Sequence, residues 1–421
     1  MTVIGLDDTD SRERGMCTTY LAATLAERLP SVERTLLIRL NPAVEHKTRG
    51  NAALAIHTAA PVDAVRPFVK ETLNRAESDD PRTNPGAVIA PVAPDEIPAA
   101  VGAFADAALH EIHDIEDAAA RVERFDFETV TRGNGRGIIG AIAAVGAWRS
   151  HDDWTYECIA YRQAEAWGSE REVDAASVFD AAAAGYPAVW DTVDRGEGYA
   201  VCVPRTPCPI LHGIRGEDPE SVERVSMAIE SEPVASRHTF VTNQGTDAHL
   251  QEATLESLDS DDPPSGAFRV TGTVQRAPET REGGHVFFDV GSDAVRLPCA
   301  AFEPTKRFRD HVRNLRAGDR ITACGELSDG TLKLEKFAVR ELVTTKRVTP
   351  TCPSCERTME SAGRDQGYRC RDCATKRDGK ASVPVERDIE LGWYEVPPVA
   401  RRHVAKPLVR GGFDAPVHPE R

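Results

Sequence analysis

The spacing of apolar positions changes period along the chain and predicts alternating strands and helices. TVIGL (2–6) is a short apolar strand. Met16 to Leu29 follows with Leu21, Leu25 and Leu29 at i, i+4 spacing, the stripe of an amphipathic helix. TLLIRL (35–40) and AALAIH (52–57) read as strands, and 61–76 and 95–112 as helices. AESDDPRTNPGAV (76–88) between them reads as a turn-rich loop. Residues 1–125 thus form one α/β unit.

A second α/β unit is expected over 126–257. A strand near 125–130 leads through TRGNGRGIIG (131–140) into a helix of small residues. TYECIAYR (155–162), YAVCVP (199–204) and SRHTFVTN (236–243) read as strands, and 175–190 and 220–231 contain helices. That order suits a ferredoxin-like split β-α-β-β-α-β unit. After an acidic, Pro-rich linker (258–266), five short alternating strands over 266–344 predict a small β-barrel, an OB-fold. The remainder, 348–421, holds a cysteine cluster and a basic tail. The fold class is therefore multidomain α+β, and no internal repeat is visible.

Composition refines this picture. With 41% hydrophobic and 28% charged residues, the 421-residue chain is globular. No apolar run reaches the ~20 residues that span a bilayer, and the N-terminus lacks signal-peptide character, so a cytoplasmic location is expected. The net charge is −16. A bare reading argues against nucleic acid, yet a dense acidic surface also suits very high salt, where screening within about 3 Å leaves local basic patches to decide binding.

Several candidate chemistries stand out. Cys352, Cys355, Cys370 and Cys373 form C-x₂-C-x₁₄-C-x₂-C, the paired knuckles of a closed structural Zn²⁺ site. Asp7, Asp8 and Asp10 crowd the turn after the first strand, where ionised carboxylates need a cation; Mg²⁺ is the natural guest. Amides near Thr18 and Thr19, opening the next helix, suit a phosphate, with Arg39, Lys47 and Arg49 as cations facing the acidic turn. Polar groups crowd TFVTNQGTDAHL (239–250), and Cys208, His212 and Arg215 flank a strand at 207–216. Between Val396 and Phe413 there is no acid, while Arg401, Arg402, His403, Lys406 and Arg410 make a candidate phosphate-contacting patch. The glycines of 131–140 match no nucleotide-loop register and equally permit close packing of a helix on a sheet.

Taken in order, IGLDDTDSRERGMCTTY, RLNPAVEHKTRGN, RGNGRGIIGAIAA, PCPILHGIRG, TNQGTDAHL, the barrel, the four-Cys ribbon and ARRHVAKPLVRGG resemble the archaeal tRNA-isoleucine 2-agmatinylcytidine synthetase family over nearly the whole chain. His46, before Lys47, departs from the aromatic residue expected there. The resemblance implies a kinase-like domain, a ferredoxin-like domain, an OB-fold and a zinc ribbon. It implies ATP-dependent joining of agmatine to the 2-position of the wobble cytidine in the CAU anticodon of one isoleucine tRNA, through a phosphorylated cytidine, so that AUA is read instead of AUG. Under it, Asp7, Asp8, Asp10 and Thr18 are catalytic, Thr18 also accepts phosphate itself, and Thr19, Lys47 and Arg49 bind ATP. From the residues themselves, the second unit offers agmatine candidates in Cys208, Asn243, Gln244, Thr246 and Asp247, the only acid of its turn, and the tail offers Arg401, Arg402, Lys406 and Arg410 for the tRNA. No protein partner is evident. The alternatives are a non-enzymatic OB-fold and ribbon protein that binds RNA or single-stranded DNA, which needs no aspartate turn, and a metal-dependent phosphohydrolase, which needs no agmatine.

Overall fold

The computed structural model describes residues 1–11, 15–45, 50–76, 80–258, 264–292, 295–402 and 404–421. The first half contains β1 (Thr2–Asp7), α1 (Thr18–Arg28), β2 (Val32–Arg39), β3 (Ala52–Thr58), α2 (Val62–Leu73), β4 (Gly86–Ala90), α3 (Ala99–Ala107), α4 (Ile115–Arg124), β5 (Glu128–Thr131) and α5 (Ile138–Ser150). The second contains β6 (Thr155–Arg162), α6 (Ala175–Gly185), β7 (Val189–Trp190), β8 (Ile210–Gly216), α7 (Pro219–Ala228) and β9 (Val234–Thr242).

All nine strands share one sheet, ordered β5-β4-β1-β3-β2-β9-β6-β8-β7. Its pairs are antiparallel except at the junction, where β2 and β9 run parallel through Leu36↔Val241 and Leu37↔Thr242. The order β4-β1-β3-β2 in the first half recurs as β9-β6-β8-β7 in the second. Each half runs strand-helix-strand-strand-helix-strand, so the chain repeats in topology although the sequence shows no repeat.

Hydrogen bonding does not break at 125/126. β5 pairs with β4, and α5 lies on β1, β3 and β4, so residues 128–150 pack with the first half. The stretch expected to be loop up to Val88 contains β4, a fully buried strand between β1 and β5. Its short GAVIA run follows a Pro-rich segment, and the turn signals outweighed five apolar residues. Tyr199–Pro204, expected to be a strand, is mostly turn.

The first-half sheet is covered on both faces. Val3, Ala53, Ala55 and Val88 face α3 and α5, whereas Ile4, Leu6, Leu54 and Ile56 face α1 and α2. That explains strands apolar at every position rather than at alternate ones. α5 approaches closely because it presents glycine. A Cβ on Gly137 would lie 2.3 Å from the Gly86 nitrogen, and a Cβ on Gly5 would lie 1.9 Å from the Ala141 oxygen. The packing reading of the 131–140 glycines is the one these distances support.

Beyond the sheet, strands Gly266–Val274, Val286–Gly291, Arg296–Ala301, Arg320–Ser328 and Thr331–Glu341 close into a ring. The first pairs with the second and fourth, the third with the second and fifth, and the fourth with the fifth. The tail strand Gly392–Glu395 adds to the fifth, so the C-terminal segment belongs with the barrel rather than with the cysteine cluster. Small two- and three-stranded sheets frame the cluster. No helix among the described residues is long and apolar enough to cross a membrane.

Candidate functional site

The acidic turn begins where β1 ends. Asp7 is the last strand residue, opposite Gly86. Its carboxylate lies against α5, because a Cβ on Gly140 would stand 2.0 Å from Asp7 Oδ2. Burial, then the charges of Asp8 and Asp10, push the Asp7 carboxyl well above the usual range. Asp8 adopts a left-handed backbone, φ 56°. Its Oδ2 accepts from Arg136 Nε at 3.0 Å and Nη2 at 2.7 Å. Burial still raises Asp8 to about 6, against the opposing pull of Arg136. Nearby, Thr83 Oγ1 donates to the Asp10 carbonyl at 2.8 Å, and Ser11 Oγ donates to Asp80 at 3.0 Å.

These three aspartates and Arg136 line a cavity of about 130 Å³ together with Asn51, Glu111 and His113 and the apolar Leu40, Val44, Ile112 and Ile139. Arg136 escaped the sequence reading because it sits in a glycine-rich loop judged on its glycines alone. Only the sheet brings that loop beside β1. Asp7 and Asp8 are thus buried carboxyls with raised affinity for protons, and Arg136 is a cation the described residues place against them.

A second cavity, about 280 Å³, shares Asp10, Gly50 and Ala52 with the first. Thr18 and Thr19 line it from the start of α1, whose first turn has no acidic residue and no side-chain cap. Glu157 of β6 and Arg215 of β8 line it from the second half. Glu157 lies 3.4 Å from Arg215 Nε and 3.9 Å from Arg39 Nη2. Glu157 Oε2 and Arg215 Nε are buried without a hydrogen-bond partner among the described residues. Orphaned polar atoms facing a cavity are the mark of a place a ligand completes. Glu157 was missed because it lies within an otherwise apolar strand.

The 243–247 turn works one layer behind. Asn243 Oδ1 accepts from the Arg39 backbone N at 2.8 Å, and its Nδ2 donates to the Arg39 carbonyl at 3.0 Å. Gln244 Oε1 accepts from Arg39 Nε at 2.6 Å. Thr246 Oγ1 donates to the Asn243 carbonyl at 2.7 Å, closing the turn. Asp247 points the other way, to Lys336 Nζ (2.9 Å), Arg269 Nη2 (2.7 Å) and the Lys406 backbone N (2.7 Å). Cys208 is buried beside Arg171 Nη2, 3.1 Å away. None of these five expected substrate contacts lines either cavity.

The arginines of the basic tail are ion-paired. Arg401 pairs with Asp191 and Glu395, Arg402 with Glu326 and Glu335, and Arg410 with Asp153 and Glu217. Lys406 holds its ammonium 5.2 Å over Phe413. The expected phosphate patch is cationic along the chain, but acids from the sheet and barrel neutralise its three arginines. Lys47, Arg49, His46 and His403 lie outside the described residues.

In the ribbon, Cys352, Cys355, Cys370 and Cys373 place their sulfurs within 4.8 Å of one another. Glu356 N donates to the Cys352 carbonyl and Ala374 N to that of Cys370, each with positive φ, so two matching knuckles face each other. Four free thiols converging from matched turns fit a tetrahedral ion.

Comparison with known proteins agrees with this geometry. Family models described as the TiaS TCKD domain, the TiaS FLD domain and the TiaS C-terminal zinc ribbon domain match residues 3–62, 135–249 and 349–389. The chain is 51% identical to the isoleucine-tRNA 2-agmatinylcytidine synthetase TiaS of Haloquadratum walsbyi over 100% of both chains. It is 44% identical to that of Archaeoglobus fulgidus over 97% of both. A crystal structure of TiaS in complex with its isoleucine tRNA and ATP superimposes with a TM-score of 0.87 at 42% identity, covering 100% of this chain and 99% of that one. A complex of TiaS with the same tRNA, AMPCPP and agmatine gives 0.85 at 40%, with the same coverage. The chain belongs to the tRNA-isoleucine 2-agmatinylcytidine synthetase family.

Proposed function

We propose that this protein joins agmatine to the 2-position of the wobble cytidine of the isoleucine tRNA with a CAU anticodon, using ATP, so that this anticodon reads AUA. The observation that carries this reading is the pair of cavities meeting at Asp10, one acidic and one reaching Thr18 and Glu157, in a chain matching these synthetases from end to end. We read the first half as the kinase-like part, the second as ferredoxin-like and the five-stranded ring as an OB-fold.

Asp7, Asp8 and Asp10 would hold Mg²⁺, which would supply neutralisation of phosphate charge. Arg136 orients Asp8 and adds a cation at the same end of the cavity. The amides opening α1 are suited to a phosphate, and the Thr18 hydroxyl is a candidate phosphate acceptor. The 2-oxygen of cytidine is a poor leaving group. Phosphorylated at ATP's expense, it departs as phosphate when the agmatine amine bonds to C2, and the amine proton leaves to solvent or a carboxylate. Glu157 is our candidate acceptor for the guanidinium, in place of Asp247. The four cysteines would hold Zn²⁺ as a structural ion.

The test supplies a transcript of that tRNA, ATP, Mg²⁺ and labelled agmatine, with mass analysis of the wobble nucleoside. Agmatine replacing the 2-oxygen is expected. Transcript binding without incorporation would favour the non-enzymatic alternative, and ATP hydrolysis indifferent to agmatine would favour the phosphohydrolase.

A further inference from the structure

A groove of about 610 Å³ opens on the outer side of the same loop that closes the second cavity. Val201, Cys202 and Pro204 face the cavity, while Tyr199, Val203 and Arg205 face the groove, with Pro204 lining both. Its opposite wall is residues 168–175. The volume suits one nucleoside, within the roughly 300–1,000 Å³ usual for small-ligand sites.

Three features make this a built surface. Arg205 lies 4.3 Å from the centre of the Tyr199 ring, and its Nε donates to the Tyr199 hydroxyl at 2.6 Å. The guanidinium lies over the ring, so the two form one cationic platform. Arg205 is exposed and pairs with no carboxylate among the described residues, unusual in a chain of net charge −16 whose tail arginines are paired. Arg171 fastens the loop beneath. It donates to the carbonyls of Ile210 (2.9 Å), Pro204 (2.8 Å) and Thr206 (3.0 Å), so the platform is held rather than loose.

From these we infer that the Tyr199–Arg205 platform stacks a base of the RNA substrate next to the cytidine being modified. An aromatic ring backed by guanidinium fits a nucleobase face, and the unpaired cation fits the adjoining phosphate. Glu170, on the opposite wall, is a hydrogen-bond acceptor for a base amino group. The groove shares Pro204 with the second cavity, where Thr18 and Glu157 would meet the wobble cytidine, so a neighbouring nucleotide reaches it without leaving the strand. This inference rests on the reading of the substrate as tRNA.

The experiment uses the full chain and a transcript of the isoleucine tRNA carrying 2-aminopurine for the adenosine that follows the wobble cytidine. Wild-type protein is expected to quench its fluorescence by stacking. Tyr199→Ala and Arg205→Ala are expected to remove the quench and weaken transcript binding about tenfold, with KM for ATP and agmatine unchanged. Tyr199→Phe keeps the ring and is expected to keep the quench. Unchanged quenching and affinity in both alanine variants, with wild-type melting temperature, overturn the proposal. So does a raised agmatine KM with tRNA affinity intact, since the groove then serves the small substrate. Wild-type protein that binds no transcript overturns the functional reading itself.

Discussion

Asp247 Oδ1 lies 2.9 Å from the ammonium of Lys336, a barrel lysine whose side chain is 1% exposed. The same carboxylate takes Arg269 and the Lys406 amide. Its neighbours Asn243 and Gln244 clamp Arg39 at the second cavity. One turn thus joins the barrel to the nine-stranded sheet, and the acid expected at agmatine is an anchor between parts of the fold.

Asp247→Leu should therefore act on stability first. Removing the carboxylate costs on the order of a few kcal/mol, because the buried Lys336 ammonium then keeps only the Lys406 carbonyl and the Trp393 and Phe413 rings. Adding Lys336→Met should restore much of that loss. Thermal melts of both variants check this, and a normal melt with a selectively raised agmatine KM would return Asp247 to the substrate.

Asp7→Asn should raise the melting temperature of the metal-free protein at pH 7 while abolishing agmatine transfer. The carboxylate is buried beside two like charges, so its neutral replacement relieves the fold. Melting with and without Mg²⁺ and ATP reads both effects, and the stabilisation by ligand should vanish in the variant.

The acid limb of cation binding should centre near pH 6. Asp8 is held at about 6, above its unfolded value near 3.9. Folding therefore favours its protonated form, and this group's contribution to apo stability is largest below about pH 4 and declines as pH rises through 6. Cation binding runs the other way, since it needs the carboxylate. Mg²⁺ titrations from pH 5 to 8 should show affinity rising to about pH 6 and then levelling.

Gly140→Ala should lower the rate at least about tenfold with a modest loss of stability. The new methyl meets the Asp7 carboxylate, which can swing aside and leave its position. Gly137→Ala should instead unfold the first half, because its methyl meets the Gly86 backbone, which cannot move. Circular dichroism and turnover of the pair separate the two cases.

Metal analysis should find one zinc per chain, lost in Cys370→Ser. The ribbon's small sheets have little apolar core beyond Cys352, Met359, Cys370 and Tyr368, so its folding depends on the ion. The nine-stranded sheet should keep its far-ultraviolet signal and ATP binding.

What the sequence determined by itself is whatever lies within a short stretch of chain. The cysteine spacing, the aspartates crowding a strand end and the five alternating barrel strands follow from local geometry, and each appears where expected. Family membership was legible too, because it rests on the order of such motifs. Tertiary structure decided which charges are free. Arg401, Arg402 and Arg410 look like an exposed basic patch only until Asp191, Glu335 and Glu217 arrive from distant parts of the chain. Arg136 and Glu157 look ordinary until folding carries one beside Asp8 and buries the other at a cavity. The reason is range. Periodicity and spacing report contacts a few residues apart, whereas an ion pair depends on which strands become neighbours, and the β2–β9 junction that unites the two halves joins residues some 200 positions apart.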